Sequence, residues 1–352
     1  MRHIITLTLA LFIAVPAAQA ENVLEWLEST TNSIKKTAAP ADAAELLTLE
    51  NSESEMYPLP SPDGKHLLTL THQGKHSSIS RRYSENGDPL STVIANDVRA
   101  LDSTGWKDDE HVYYLSDRAG GLGLWEKISD GEGMQRRIQP LHGALTQPLL
   151  LADESIIAVR LIALDNRKKS VKKAKHDDFN NWQISGFRSE IVRFHRDGSE
   201  QVLAEGINPA LSPDGKSIVF CMAAGRSVHL FRIHTDGSDL IQITDARSVD
   251  VQPSWSADGK SILFTSNRAD ADMRKKGNSQ WDIWAIGSDG RNLTQITRDS
   301  ARDGAARMGI DGRIYFHSDR AISKELRKQH QVKSVSSHSF HIWSIDWKPA
   351  AN

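Results

Sequence analysis

The residues best suited to chemistry are thinly spread and do not fall into a catalytic pattern. His317, His338 and His341 lie close in sequence and, with Asp270 or Asp272, would supply imidazole and carboxylate ligands if the fold gathered them. No H-E-x-x-H and no histidine pair at helical spacing accompanies them. There is no G-x-S-x-G elbow, since Gly287-Ser288-Asp289-Gly290 has the composition of a turn. Cys221, the only cysteine, sits in the apolar run Ile218-Val219-Phe220-Cys221-Met222 and reads as a small buried hydrophobe. No cofactor is expected, and an enzyme with a lyase- or glycosidase-type site remains the alternative to a binding protein.

Charge is more informative. Arg167-Lys168-Lys169-Ser170-Val171-Lys172-Lys173-Ala174-Lys175 holds six bases in nine residues, Arg274-Lys275-Lys276 adds three, and Arg320, Lys324, Arg327, Lys328 and Lys333 face one acid, Glu325. Two readings stand side by side: a local positive face that attracts anionic partners, or solvated loops kept soluble by charge. The whole chain is not basic. Its net charge is −2, with 39% hydrophobic and 25% charged residues, which fits a globular protein and disfavours nucleic acid as partner.

The ends carry their own signals. Arg2 and His3, the uncharged run Ile4 to Pro16, and Ala17-Ala18-Gln19-Ala20 form an expected secretory signal peptide cleaved after Ala20. The apolar run is too short to span a bilayer, so the chain is expected to be periplasmic and not membrane-spanning. Residues 21–44 read as a short helix, with Val23, Leu24, Trp26, Leu27 and Ile34 at helical spacing, followed by a linker. A lone cysteine in an exported chain leaves no internal disulfide, so stability must come from a large core.

A repeat organises the remainder, residues 45–348. Ser61-Pro62-Asp63-Gly64-Lys65, Ser212-Pro213-Asp214-Gly215-Lys216 and Ser256-Ala257-Asp258-Gly259-Lys260 each precede a short apolar strand, and Gly309-Ile310-Asp311-Gly312-Arg313 is a weaker copy. Spacing of about 44 residues places the two missing turns at Asp109 and Asp153. A second series runs out of phase: Asn86-Gly87, Asp130-Gly131, Asp197-Gly198, Asp236-Gly237 and Asp289-Gly290. Asp-Gly between extended segments is a hairpin signal, because glycine supplies the positive φ of the tight turn. Strand, turn, strand, loop, strand, turn, strand is one propeller blade. The fold class is therefore all-β, a six-bladed β-propeller of four-stranded antiparallel blades. The sixth unit stops after its third strand, while Leu46-Leu47-Thr48-Leu49 has an outer-strand pattern and no unit of its own. Either residues 45–50 close the last blade, or the tetrad is a chance feature of a linker.

The stretch Pro253-Ser254-Trp255-Ser256-Ala257-Asp258-Gly259-Lys260-Ser261-Ile262-Leu263-Phe264-Thr265-Ser266-Asn267-Arg268, echoed by Ser116-Asp117-Arg118 and Ser318-Asp319-Arg320, resembles the repeat of TolB-type propellers. The resemblance implies a six-bladed ring in the periplasm that binds an envelope protein, as TolB binds the peptidoglycan-associated lipoprotein. It departs from TolB before the ring, where residues 21–44 are too few for the TolB α/β domain. The repeat also resembles the propellers of prolyl-oligopeptidase-type enzymes, whose catalytic domain has no counterpart here.

Blade topology puts every Asp-Gly turn on one face and every connection between second and third strands on the other. That second face takes the length variation, at 165–182, 269–280 and 321–339, and long loops on a rigid ring are where function usually sits. The candidate partner-binding residues are Arg118, Arg167, Lys168, Lys169, Lys172, Lys173, Trp182, Arg268, Arg274, Lys275, Trp281 and Arg320. Trp182 and Trp281 lie off the repeat positions, beside insertions. Arg118, Arg167, Arg268 and Arg320 share one repeat position, where they either line the rim as carboxylate-binding forks or pair with an aspartate or carbonyl of a neighbouring blade. The expected partner is an acidic or lipoprotein component of the envelope, or an anionic glycan or lipid head group.

Overall fold

The computed structural model describes residues 42–50, 53–73, 76–97, 99–101, 103–164, 179, 186–271, 279–335 and 339–347. These belong to one compact unit, Asp42–Asn352. Six four-stranded antiparallel sheets make up that unit. Blade 1 is β2 (Glu53–Pro60), β3 (His66–Gln73), β4 (His76–Tyr83) and β5 (Pro89–Ala95). Blade 2 is β6 (Gly105–Trp106), β7 (His111–Ser116), β8 (Gly123–Ile128) and β9 (Arg136–Pro140). Blade 3 is β10 (Leu145–Leu150), β11 (Ile156–Ala163), β12 (Phe187–Phe194) and β13 (Glu200–Glu205). Blade 4 is β14 (Ile207–Leu211), β15 (Ser217–Ala224), β16 (Ser227–His234) and β17 (Ile241–Gln242). Blade 5 is β18 (Asp250–Trp255), β19 (Ser261–Ser266), β20 (Asp282–Gly287) and β21 (Thr294–Gln295). Blade 6 is β22 (Asp303–Met308), β23 (Arg313–Ser318), β24 (His341–Asp346) and β1 (Glu45–Leu46).

The closing strand is therefore the amino-terminal one. Glu45 pairs with Ser344 and Leu46 with Trp343, and the next two amides, of Leu47 and Thr48, both donate to the Ile342 carbonyl at 2.9 and 3.2 Å. The paired stretch is shorter than the tetrad pattern led one to expect, because the chain turns inward after Leu46 to begin blade 1. Closure satisfies the backbone of β24, which would otherwise be an open edge.

The hairpin turns explain why the repeat is legible. In the three strongest copies the aspartate Oδ1 accepts from the serine hydroxyl two residues earlier at 2.6 Å and from the lysine amide two residues later at 3.1 Å. The serine oxygen then accepts from the amide that opens the next strand, at 2.9–3.0 Å. Side chain and backbone thus hold one geometry three times over.

The first strands, which pack side by side around the axis, share an irregularity. Five of them carry a register shift with a left-handed residue: Tyr57, Gln147, Asn208, Gln252 and Ala305, at φ 51–54°. Proline follows in four, as Pro58, Pro148, Pro209 and Pro253. Proline has no N–H for the ladder, so the strand bulges where it occurs. The freed amides bond to the preceding blade: Asn208 N–H to Gln147 Oε1 at 2.7 Å, Ala305 N–H to Gln252 Oε1 at 2.8 Å, and Tyr57 N–H to His317 Nδ1 at 3.3 Å. Indoles add two more such links, Trp106 to the Leu59 carbonyl and Trp255 to the Ala210 carbonyl, at 2.9 and 3.0 Å.

Gly87 tests ring closure. It lies at φ 77°, and a Cβ there would overlap the Leu47 carbonyl oxygen of the closing segment. Gly87→Ala should destabilise the ring by about 2–3 kcal/mol, seen as a lower urea midpoint, and should speed amide exchange at Leu47 and Thr48.

Candidate binding face

Three long connections between second and third strands share one face: residues 164–186 in blade 3, 267–281 in blade 5 and 319–340 in blade 6. The matching connections in blades 1 and 4 have two residues, 74–75 and Gly225-Arg226. The opposite face carries the short hairpins. Within the blade 6 connection, α1 (Lys324–Gln329) is capped by the Ser323 hydroxyl, which accepts from the Leu326 amide at 3.1 Å. Leu326 and Ile322 pack on the core under it, while Lys324 and Lys328 are exposed.

The insertions meet through aromatic rings. Phe179, from the blade 3 connection, is buried and stacks on Phe340 at 5.7 Å, with Trp281 at 5.6 Å and His317 at 5.9 Å. Phe340 and Trp281 end the blade 6 and blade 5 connections. Arg302 lies over both phenyl rings, 5.3 Å from Phe179 and 5.2 Å from Phe340, and is held by Asp319 at 2.9 Å. Gly304 leaves room for this cluster: a Cβ there would meet Phe179, His317 Nε2 and Gln252 Oε1 at 2.9–3.2 Å. Burial beside Arg302 and Arg307 pushes the His317 pKa down to about 3, so this imidazole is neutral. Trp281, expected at the rim as a ligand contact, is instead fully buried, because Phe179 covers it.

The repeated arginines adopt one arrangement. Arg268 binds Asp250 at 2.6 Å and lies over Phe264 and Trp284, which face each other across β19 and β20. Arg320 binds Asp303 at 2.7 Å over the cross-strand pair Phe316 and Trp343. Arg118 sits 3.5 Å from Asp97 over Tyr114 and Trp125. Asp250 and Asp303 open the first strand of the arginine's own blade, not a neighbouring blade as one sequence reading had it, while Asp97 lies on the link that follows β5 of blade 1. A serine completes the clamp in each, Ser266 to Asp250 at 2.6 Å, Ser116 to Asp97 at 2.8 Å, and Ser318 to Asp303. Arg268 and Arg320 are nearly closed to solvent, at 9% and 7% side-chain exposure, while Arg118 keeps 38%. Arg118 is thus the one of the three with a substantial open surface. Arg167, Lys168, Lys169, Lys172, Lys173, Trp182, Arg274 and Lys275 lie outside the described residues.

The histidine set is not assembled. His317 pairs with Ile342, and His341 with Ser318, so the two imidazoles point to opposite faces of blade 6. His338 and Asp272 lie outside the described residues. Among the described residues no three histidine, cysteine or acidic side chains are grouped to hold a metal ion. Cys221 is fully buried, and burial raises its thiol pKa. The aromatic cluster and Arg302 escaped sequence reasoning. The available signal was Phe179 itself, an aromatic inside a charged insertion.

Between blades 5 and 6 a buried acidic pair adjoins the face. Asp282 accepts from Gln280 and Gln295 at 3.2 and 3.1 Å. Burial, reinforced by the charge of Asp303, raises its pKa to about 7. A carboxyl with a raised native pKa stabilises most when protonated, below its ordinary value of 3.8. That contribution is lost as pH rises through about 7. Asp282→Asn should therefore flatten the fall in stability across this window and raise the urea midpoint most above pH 7. Separately, Arg268→Met strands the buried Asp250 carboxylate and should cost about 3–5 kcal/mol. Adding Asp250→Asn should recover much of that loss in the same urea titration.

No family model matches the chain. A 64-residue stretch is 44% identical to dipeptidyl-peptidase 5 of Porphyromonas gingivalis, covering 16% of this chain and 9% of that protein. Among solved structures, a putative TolB from Agrobacterium tumefaciens is 20% identical, with 69% of this chain and 80% of that one aligned at a TM-score of 0.46. An oligogalacturonate lyase from Vibrio parahaemolyticus is 11% identical over 87% of this chain and 95% of its own, at 0.50. Among the described residues no helix is long and apolar enough to cross a membrane. The chain is a six-bladed β-propeller, and the solved structures it resembles in fold include TolB proteins and a lyase.

Proposed function

We propose that this propeller is an exported binding scaffold of the cell envelope, and that it holds an acidic protein partner on the face bearing the three insertions. The observation that carries this reading is the Phe179–Trp281–Phe340 cluster. It packs together three rings drawn from the connections of blades 3, 5 and 6, whereas the described hairpins of the other face are tight turns. Basic residues flank that cluster in sequence, at 167–175, 274–276 and 324–333. A positive surface on a chain of slightly negative net charge steers an anionic partner to one side of the ring. The amino-terminal segment supports export, and the TolB-type repeat supports an envelope protein as partner.

The test is a crosslinked pull-down from intact cells, comparing wild type with a variant carrying Lys168→Glu, Lys169→Glu, Lys172→Glu and Lys173→Glu. Wild type should recover one envelope protein, and the charge-reversed chain about tenfold less, on the order of 1.4 kcal/mol. Equal recovery would remove the charged insertion face from the account. Recovery of anionic glycan or lipid in place of protein would replace the partner class.

A further inference from the structure

We infer that Arg307 forms an oxyanion site near the axis of the ring, at the seam between blades 6 and 1. The position it occupies recurs in every blade, as the residue paired with the middle of the second strand. Its equivalents are Leu59, Gly105, Leu149, Ala210 and Ser254, none of them charged. Its pairing partner Tyr315 is buried with Leu67 of blade 1 and Leu47 of the closing segment. Ala306, the preceding residue, packs toward blade 5. Arg307 therefore stands on the blade 1 side of β22.

The guanidinium makes one hydrogen bond, from Nη1 to the Ala306 carbonyl at 2.9 Å. No carboxylate lies within ion-pairing distance of it among the described residues. The buried arginines Arg82 and Arg320 and the nearly buried Arg268 each have a carboxylate at 2.5–2.7 Å. Burial alone pushes the Arg307 pKa down to about 10, which still leaves it charged at neutral pH. Its neighbour His317 adds one donor and no free acceptor. His317 Nδ1 accepts from the Tyr57 amide, so the neutral ring carries its proton on Nε2, and that atom has no hydrogen-bond partner.

A half-buried cation without a counter-charge is costly, and the cost falls when an anion joins it. The planar guanidinium fork matches two oxygens of one ligand, as a phosphate or a carboxylate presents them. Arg307 remains partly exposed, so a small anion can reach it from solvent. The ligand class is a small oxyanion, and inorganic phosphate and acetate are the two probes that separate phosphate from carboxylate.

The experiment is thermal unfolding of the purified chain in sodium chloride, phosphate or acetate at matched ionic strength. Phosphate or acetate should raise the wild-type midpoint above chloride by about 2–4 °C, and the larger shift names the ligand. Arg307→Met should show no anion-specific shift and should unfold in chloride no lower than wild type, since it removes an unpaired charge. Arg307→Lys keeps the charge without the fork and should retain less than half the shift, which covers the case of a poorly folding methionine variant. An anion shift that survives in Arg307→Met, or wild type insensitive to both anions, overturns the site.

Discussion

The ring depends on one ionic latch. Arg320 donates bidentately to Asp42 at 2.6 and 2.9 Å and to Asp303 at 2.7 Å, over the Phe316 and Trp343 rings of blade 6. Asp42 also accepts from the backbone amides of Arg298 and Ala44 at 2.9 and 3.2 Å. The first described residue of the chain is thereby fixed to the last blade, and β1 is delivered to the open edge of β24. A propeller has no edges only if its first and last elements meet, so the other blade contacts rest on this meeting.

Around the ring, the same economy repeats with different parts. The arginine clamps of blades 5 and 6 bind the end of the second strand to the start of the first within each blade, and that of blade 2 binds it to the link from blade 1. The bulged first strands then bind blade to blade through freed amides and indole N–H groups. Polar groups that a proline or a bulge leaves without ladder partners are satisfied in most cases by the adjoining blade, as buried polar groups require. At the seam where the ring was closed, Arg307 has no carboxylate within ion-pairing distance among the described residues, and His317 Nε2 has no hydrogen-bond partner.

Much of this was legible. Asp-Gly turns announce themselves because one carboxylate oxygen and one positive φ do the same work in each copy, and their spacing gave six blades and the phase of every strand. The closing strand was legible as a pattern without a unit, though only Glu45 and Leu46 pair as strand. Outer strands were over-read: Ile241-Gln242-Ile243-Thr244 and Thr294-Gln295-Ile296-Thr297 each yield a two-residue strand. In both, the following isoleucine turns in to the core and the threonine hydroxyl accepts from the amide of Leu230 or Ile283. The partners of Arg268 and Arg320 were half legible, as aspartate, but the blade was not, since repeat spacing does not say which strand end lies beside which. The Phe179 cluster joins residues more than a hundred positions apart, and contacts of that range leave no periodicity to read.

The central claim is that one face of the ring is the working face. It is tested most directly by photocrosslinking in intact cells, with the reactive group placed singly at Arg226 or Lys328 on the insertion face, or at Lys65 or Lys216 on the hairpin face. The account predicts a discrete crosslinked envelope protein from the first pair and none from the second. Crosslinks confined to Lys65 and Lys216 would contradict it and move the binding surface to the Asp-Gly turns.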